Sequence, residues 1–134
     1  FGDPETQVVL PLLDGDLAAI MVACANGTLD QVKIDWHKRA AVCVVMASAG
    51  YPGSYAKGKE ITGLTDVPEN SVVFHAGTKL VDDKIVTNGG RVLGVTAFAD
   101  DIKAARDKAY EAVEKISFEG AFCRKDIAWR ALNR

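Results

Sequence analysis

Histidine, cysteine and proline are scarce in this chain: 134 residues hold two His, three Cys and four Pro, and aromatic side chains make up only 7%. Cys24, Cys43 and Cys123 are odd in number and form no C-x-x-C pair. That fits neither a disulfide framework nor a zinc knuckle, so reduced thiols in a cytoplasm are expected. His37 and His75 stand in no metal-ligand spacing and no nucleophile elbow, so each is expected as an ordinary strand residue, hydrogen-bonded or partly exposed. There is no excess of positive charge: the net charge is −2, which argues against a nucleic-acid partner. The longest apolar runs, Leu17–Ala25 and Ala40–Ala47, fall well short of the ~20 residues a membrane helix needs, so no membrane partner is expected. The opening residues carry no signal-peptide pattern. Neither G-x-G-x-x-G nor a Walker A sequence occurs, which excludes the usual dinucleotide and P-loop sites. What the chain does have is a 49% hydrophobic share, too apolar for a disordered tail and enough for about one domain.

The order of elements follows from periodicity and punctuation. Asp3 and Pro4 read as the cap and first residue of a short helix, with Glu5 at its positive end and Pro11 as its stop. A second helix is expected from a cap at Asp14 to Gly27, burying Leu17, Ile20, Met21 and Cys24 on one stripe. Val32, Ile34 and Trp36 alternate with polar neighbours as a half-buried strand. Ala40–Ala47 reads as a strand covered on both faces. The stretch Gly50-Tyr51-Pro52-Gly53-Ser54-Tyr55-Ala56-Lys57-Gly58 excludes regular structure but has two tyrosines to pack with, so an ordered loop is expected.

Further on, Val72–Leu80 and Lys84–Thr87 read as strands joined by a two-residue turn at Asp82-Asp83, which pairs residue 79 with residue 86. Arg91–Ala99 is a long apolar strand. Asp100 and Asp101 cap a helix that presents Ile102, Ala105, Ala109, Ala112, Val113 and Ile116 on one face. On its other face Lys103/Asp107 and Glu111/Lys115 form i,i+4 pairs. Phe122, Ile127, Trp129 and Leu132 are the apolar anchors of the tail. The whole is an α+β fold with a mainly antiparallel sheet and flanking helices.

One segment carries a chemical signal. In Thr87-Asn88-Gly89-Gly90-Arg91, two adjacent glycines can expose consecutive backbone N–H groups as an anion-binding concavity. The arginine that follows offers a planar donor fork for phosphate oxygens. Lys79, on the preceding strand of the hairpin, can approach the same end. The two Asp pairs are better explained as a turn and a helix cap than as a carboxylate dyad.

Read together, Phe1-Gly2-Asp3-Pro4-Glu5-Thr6-Gln7, the Gly50–Gly58 loop, Phe74-His75-Ala76-Gly77-Thr78, and Thr87-Asn88-Gly89-Gly90-Arg91-Val92-Leu93-Gly94-Val95 are similar to the phosphoribosylamine–glycine ligase (glycinamide ribonucleotide synthetase) family. Phe118-Glu119-Gly120-Ala121 followed by Arg124-Lys125-Asp126 extends the resemblance over essentially the whole chain. It implies that residues 1–30 end an ATP-grasp domain with its connecting helices, and that residues 31–134 are a C-terminal, hybrid-motif-like domain. The implied reaction is ATP-dependent joining of glycine to 5-phosphoribosylamine in purine synthesis, through an acyl phosphate of glycine. ATP and magnesium (or manganese) are the implied cofactors, with the metal ligands upstream of Phe1 and none in this chain.

The chain opens on Phe1 inside a structured segment, so it is expected to be a piece of a longer polypeptide. With the metal ligands upstream, the resemblance implies that it is inactive and without bound cofactor on its own, and its thiols lead to the expectation of a cytoplasmic protein. Its implied partners are the two substrates and the missing N-terminal and ATP-grasp domains. Substrate-binding residues are expected at Lys79 and Arg91, which match the phosphate hairpin of related ATP-grasp enzymes. The position after Arg91, basic in some relatives, is Val92 here, so the Gly89 and Gly90 N–H groups are expected to take part of the load. Asp3 is added for its place beside the glycine site. The alternative is a noncatalytic docking or buttressing module of another purine-pathway ATP-grasp enzyme.

Overall fold

The computed structural model describes residues 2–133; Phe1, on which the expected opening motif begins, lies outside the described residues. The chain starts with a one-turn helix α1 (Thr6–Val9), a 3-10 turn (Leu10–Leu12) and a two-residue strand β1 (Leu13–Asp14). Helix α2 (Leu17–Asn26), a second 3-10 turn (Leu29–Gln31) and β2 (Asp35–Trp36) follow. Then come β3 (Ala40–Ser48), β4 (Ser71–His75), β5 (Thr78–Val81), β6 (Lys84–Thr87) and β7 (Arg91–Ala99). Helix α3 (Ile102–Lys115), β8 (Ala121–Cys123) and the short α4 (Trp129–Leu132) close the chain.

A four-stranded sheet in the order β4-β7-β3-β8 forms the body, with every pairing antiparallel. β3 and β7 lie in its middle and carry the β-branched runs, as expected of strands covered on both faces. Val42, Val44, Met46, Leu93, Val95 and Ala97 form one core with Ala105, Ala109 and Ala112 of α3. Those alanines are fully buried, and their small size lets α3 lie close on the sheet. Asp101 caps α3, its Oδ1 accepting from the Ala104 N–H at 2.8 Å. Lys103 and Asp107 pair at 2.9 Å as expected. Ile102, however, is 40% exposed at the mouth of the helix.

The register slips once in the central pairing. Met46 opposes Leu93 but Ala47 opposes Arg91, which leaves Val92 as the extra residue of a bulge. Without it Arg91 would follow Leu93 and Val95 toward α3. With it Arg91 turns to the opposite face, where α1 lies.

Several expectations fail at the N-terminal end. Helix α2 is capped by Asp16, not Asp14: the Asp16 carboxylate accepts from Ala18 N–H and Ala19 N–H at 2.8 and 3.1 Å. Asp14 is instead in β1, paired with Asp35 of β2. Gly27 does end α2 in the left-handed conformation, at φ +69°. The stripe of Leu17, Ile20, Met21 and Cys24 is not core: Ala23 alone is buried in α2, Met21 is 61% exposed and Cys24 is exposed. Val32–Trp36 is not a full strand either; only Asp35–Trp36 pairs, and Trp36 is 52% exposed. Phe122 and Trp129 in the tail are also largely exposed. These side chains are apolar at the right spacing, but nothing else among the described residues covers them.

The stretch Val72–Leu80 is two strands rather than one. It breaks at Ala76-Gly77, so β4 stays in the main sheet while β5 pairs with β6 in a separate hairpin. The turn at Asp82-Asp83 is as expected, both residues taking positive φ (46° and 61°), and Lys79 pairs with Val86. No described helix is long and apolar enough to cross a membrane.

Candidate functional site

The junction of hairpin and sheet places Gly89, Gly90 and Arg91 beside Asp3, while Lys79 stands one register step up the hairpin. Gly77 crosses Gly89 in backbone contact: a Cβ on Gly77 would lie 2.6 Å from the Gly89 Cα and from the Arg91 carbonyl oxygen. The Gly77 N–H donates to that oxygen at 3.0 Å, and the Asn88 N–H donates to the Gly77 carbonyl at 2.7 Å. Gly90 is equally confined, since a Cβ there would lie 2.2 Å from the Tyr51 ring. The loop from Gly50 to Gly58 is therefore ordered, as expected. Tyr51 and Tyr55, with ring centroids 6.4 Å apart, lean over Gly90. The loop then returns along β6, where Gly58 N–H donates to the Thr87 carbonyl at 2.7 Å.

Ser48, at the end of β3, grips both glycine carbonyls. Its hydroxyl donates to the Gly89 oxygen at 3.0 Å and its N–H to the Gly90 oxygen at 2.8 Å. In a planar trans peptide the N–H points opposite to the C=O, so the Gly90 amide is turned away from Ser48. Among the described residues the Gly89 and Gly90 N–H groups find no hydrogen-bond acceptor. Gly89 is half-buried and Gly90 is buried beside the Tyr51 and Tyr55 rings; adjacent amides without a protein acceptor are one element of an anion concavity.

Arg91 begins β7 beside them. Its Nη2 donates to Asp3 Oδ2 at 2.8 Å and its Nη1 to the Asp3 backbone carbonyl at 3.1 Å. This corrects the reading of Asp3 as a helix cap. Helix α1 starts at Thr6 with Glu5 before it, no side chain caps it, and Pro4 precedes the helix rather than opening it. The Asp3 carboxylate faces a guanidinium 88 positions away instead, a partner that no local pattern reveals. The side chains of the pair are 41% and 50% exposed.

Lys79 is exposed on β5 and has no ion-pair partner among the described residues. It is one register step from the Thr78–Thr87 pair that adjoins Asn88-Gly89. Val92 is fully buried, so the position after Arg91 serves the core rather than the site. His75 and His37 take bland roles, His75 Nδ1 lying 3.1 Å from Thr78 Oγ1 and His37 Nδ1 4.0 Å from Asp14 Oδ2.

A cavity of about 380 Å³ opens next to Arg91, walled by Val45, Ala47, Tyr51, Pro52, Phe122 and Arg124. Sequence reading missed it because its walls come from three separate segments. On the same face of the sheet Cys43 is buried, and that burial pushes its thiol pKa up, opposed by a hydrogen bond with Thr96 and reinforced by the nearby Asp3 carboxylate.

Residues 41–130 match the family model described as phosphoribosylglycinamide synthetase, C domain. The chain belongs to this family. Members of the phosphoribosylglycinamide synthetase C-domain family similar to it include the phosphoribosylamine–glycine ligase of Caldanaerobacter subterraneus subsp. tengcongensis. That protein is 56% identical over 128 residues, an alignment that covers 96% of this chain and 30% of the relative. The chicken trifunctional purine biosynthetic protein adenosine-3 is 54% identical, over 98% of this chain and 13% of its own length. The crystal structure of the Thermotoga maritima phosphoribosylamine–glycine ligase superposes with a TM-score of 0.72 at 40% identity, covering 94% of this chain and 31% of that one. The α+β, mainly antiparallel architecture is thus that of the family. The chain spans about a third of the bacterial relatives it matches. Among the described residues no three His, Cys, Asp or Glu side chains come together as metal ligands.

Proposed function

We propose that this chain is the C-terminal part of a cytoplasmic, ATP-dependent ligase of purine synthesis that joins glycine to 5-phosphoribosylamine. Its own contribution is to hold the phosphate of the phosphoribosylamine. The observation that carries the reading is the turn at residues 89–91: two glycine amides without a protein acceptor stand just before Arg91, whose guanidinium the bulge turns to the face where α1 lies. A phosphate dianion needs several convergent donors, and backbone amides with an arginine fork supply them without a mobile lysine stem. Lys79 adds a longer-range positive charge from the hairpin. Residues 1–30 belong to the end of the ATP-grasp domain and residues 31–134 to the C-terminal domain. ATP and its divalent metal are held by the remainder of the ligase. In this division of labour the segment fixes the acceptor, so that its amine meets the activated carboxylate at high effective concentration.

The test is Arg91→Ala in the complete ligase. A charged hydrogen bond of about 1.5–3 kcal/mol raises the KM for phosphoribosylamine roughly tenfold to a hundredfold. The KM for ATP stays where it was. An unchanged requirement for phosphoribosylamine overturns the phosphate reading.

A further inference from the structure

We infer that Asp3 is a positioning residue for this anion site: it grips the Arg91 guanidinium end-on and thereby presents the remaining edge to a phosphate ester. The inference rests on the phosphate reading above. A guanidinium carries five N–H donors in a rigid plane. Asp3 takes one from Nη1 and one from Nη2, through its backbone carbonyl and its carboxylate. Using both terminal nitrogens at once fixes the plane of the group and leaves the Nε edge free for a second bidentate contact.

The grip cannot easily swing away. The Thr6 N–H and hydroxyl both donate to the Gly2 carbonyl, at 3.1 and 2.7 Å, and so anchor the residue before Asp3. Gln7 Nε2 stands 3.5 Å from the other Asp3 carboxylate oxygen. The Gln7 carbonyl in turn accepts from the Thr96 hydroxyl at 3.1 Å. The N-terminal segment is thus stapled to β7 at two points, Arg91 and Thr96: Thr96 faces that side by ordinary strand alternation, and Arg91 reaches it through the bulge. A carboxylate competing with the ligand would need to withdraw when the ligand arrives. The Asp3 backbone carbonyl holds Nη1 whatever rotamer its carboxylate takes, because the Gly2 and Gln7 contacts hold the segment against β7. Because both side chains are about half exposed, solvent screens the pair and it adds little to stability, so its effect on binding is separable from its effect on folding.

The experiment measures binding of ribose 5-phosphate by titration calorimetry, using the complete polypeptide that carries this chain. Asp3→Ala, Asp3→Asn and Arg91→Ala are compared with the parent. Asp3→Ala is expected to weaken binding about tenfold, and Asp3→Asn, which keeps an acceptor oxygen, to recover most of the loss; both melt within about 4 °C of the parent. Should Asp3→Ala unfold the protein, Asp3→Asn carries the test, with a loss of twofold to threefold expected. If both Asp3 variants bind as tightly as the parent, or more tightly, while Arg91→Ala loses binding, the positioning role is overturned and the phosphate reading stands. If Arg91→Ala binds like the parent, the phosphate reading falls and this inference with it.

Discussion

Strand β3 and helix α2 are the two most apolar stretches of the chain, and they end in opposite surroundings. In β3 most side chains are buried, between β7 and β8 in the sheet and under α3. In α2 only Ala23 is buried, and Met21 and Val22 are each about 60% exposed. The difference lies in connection rather than composition. β3 is followed by a chain that returns to the same sheet as β4 and β7, lays a small-faced helix over it and returns once more as β8. α2 is followed by a 3-10 turn and a two-residue strand, too little chain to cover it. Apolar content states what a segment needs; topology decides whether the same chain supplies it.

That contrast can be broken by measurement, most sharply at the core. Leu93→Ala is expected to lower unfolding stability by about 2–5 kcal/mol, because Leu93 is fully buried under α3 and the space it leaves cannot collapse. Met21→Gln in α2 is expected to stay within about 0.5 kcal/mol of the parent. Denaturant melts of the two variants read both numbers, and comparable losses would end the distinction between the regions.

A second measurement sharpens it through thiols. Iodoacetamide at mildly alkaline pH is expected to label exposed Cys24 within minutes and to spare Cys43. Burial both hides the Cys43 sulfur and holds its pKa up, so less thiolate is available to react. Equal labelling of the two in native protein contradicts the burial difference.

The smallest effect belongs to Lys103 and Asp107 on the solvent side of α3. The hydrogen bond from Lys103 holds the Asp107 carboxyl pKa below its ordinary value. A depressed folded-state pKa stabilises at neutral pH, and the gain is lost as pH falls through that value. A carboxyl NMR titration should show Asp107 titrating below a free aspartate, and Lys103→Gln should return it to normal.

Much of the frame was legible because it is local. The Asp101 cap, the Asp82-Asp83 turn and the Lys79–Val86 register each depend on residues a few positions apart. The apolar runs of β3 and β7 needed no more than their own composition. What escaped needed distant partners. Asp3 has the chemistry of a cap, but its carboxylate is held by Arg91 from the far end of the chain. Asp14 and Asp16 are both competent caps, and the choice between them follows from Asp14 being drawn into a pairing with Asp35. The break of Val72–Leu80 at Ala76-Gly77 answers the crossing with Gly89, which no period within the stretch records. At the candidate site the donor types were readable from Gly89-Gly90-Arg91. The bulge that aims the arginine was not, because it depends on how β3 and β7 share an extra residue.

Where the hairpin leaves the sheet, bare main chain rests on bare main chain. A single methyl group at Gly77 or Gly89 would act as a wedge, prising the hairpin outward and swinging the guanidinium with it. The β5–β6 arm and the Gly89–Arg91 corner are therefore welded into one rigid lever. Change in this lever is tolerable only at its tip, where Asp82 and Asp83 can be lengthened or replaced without disturbing the grip at its base.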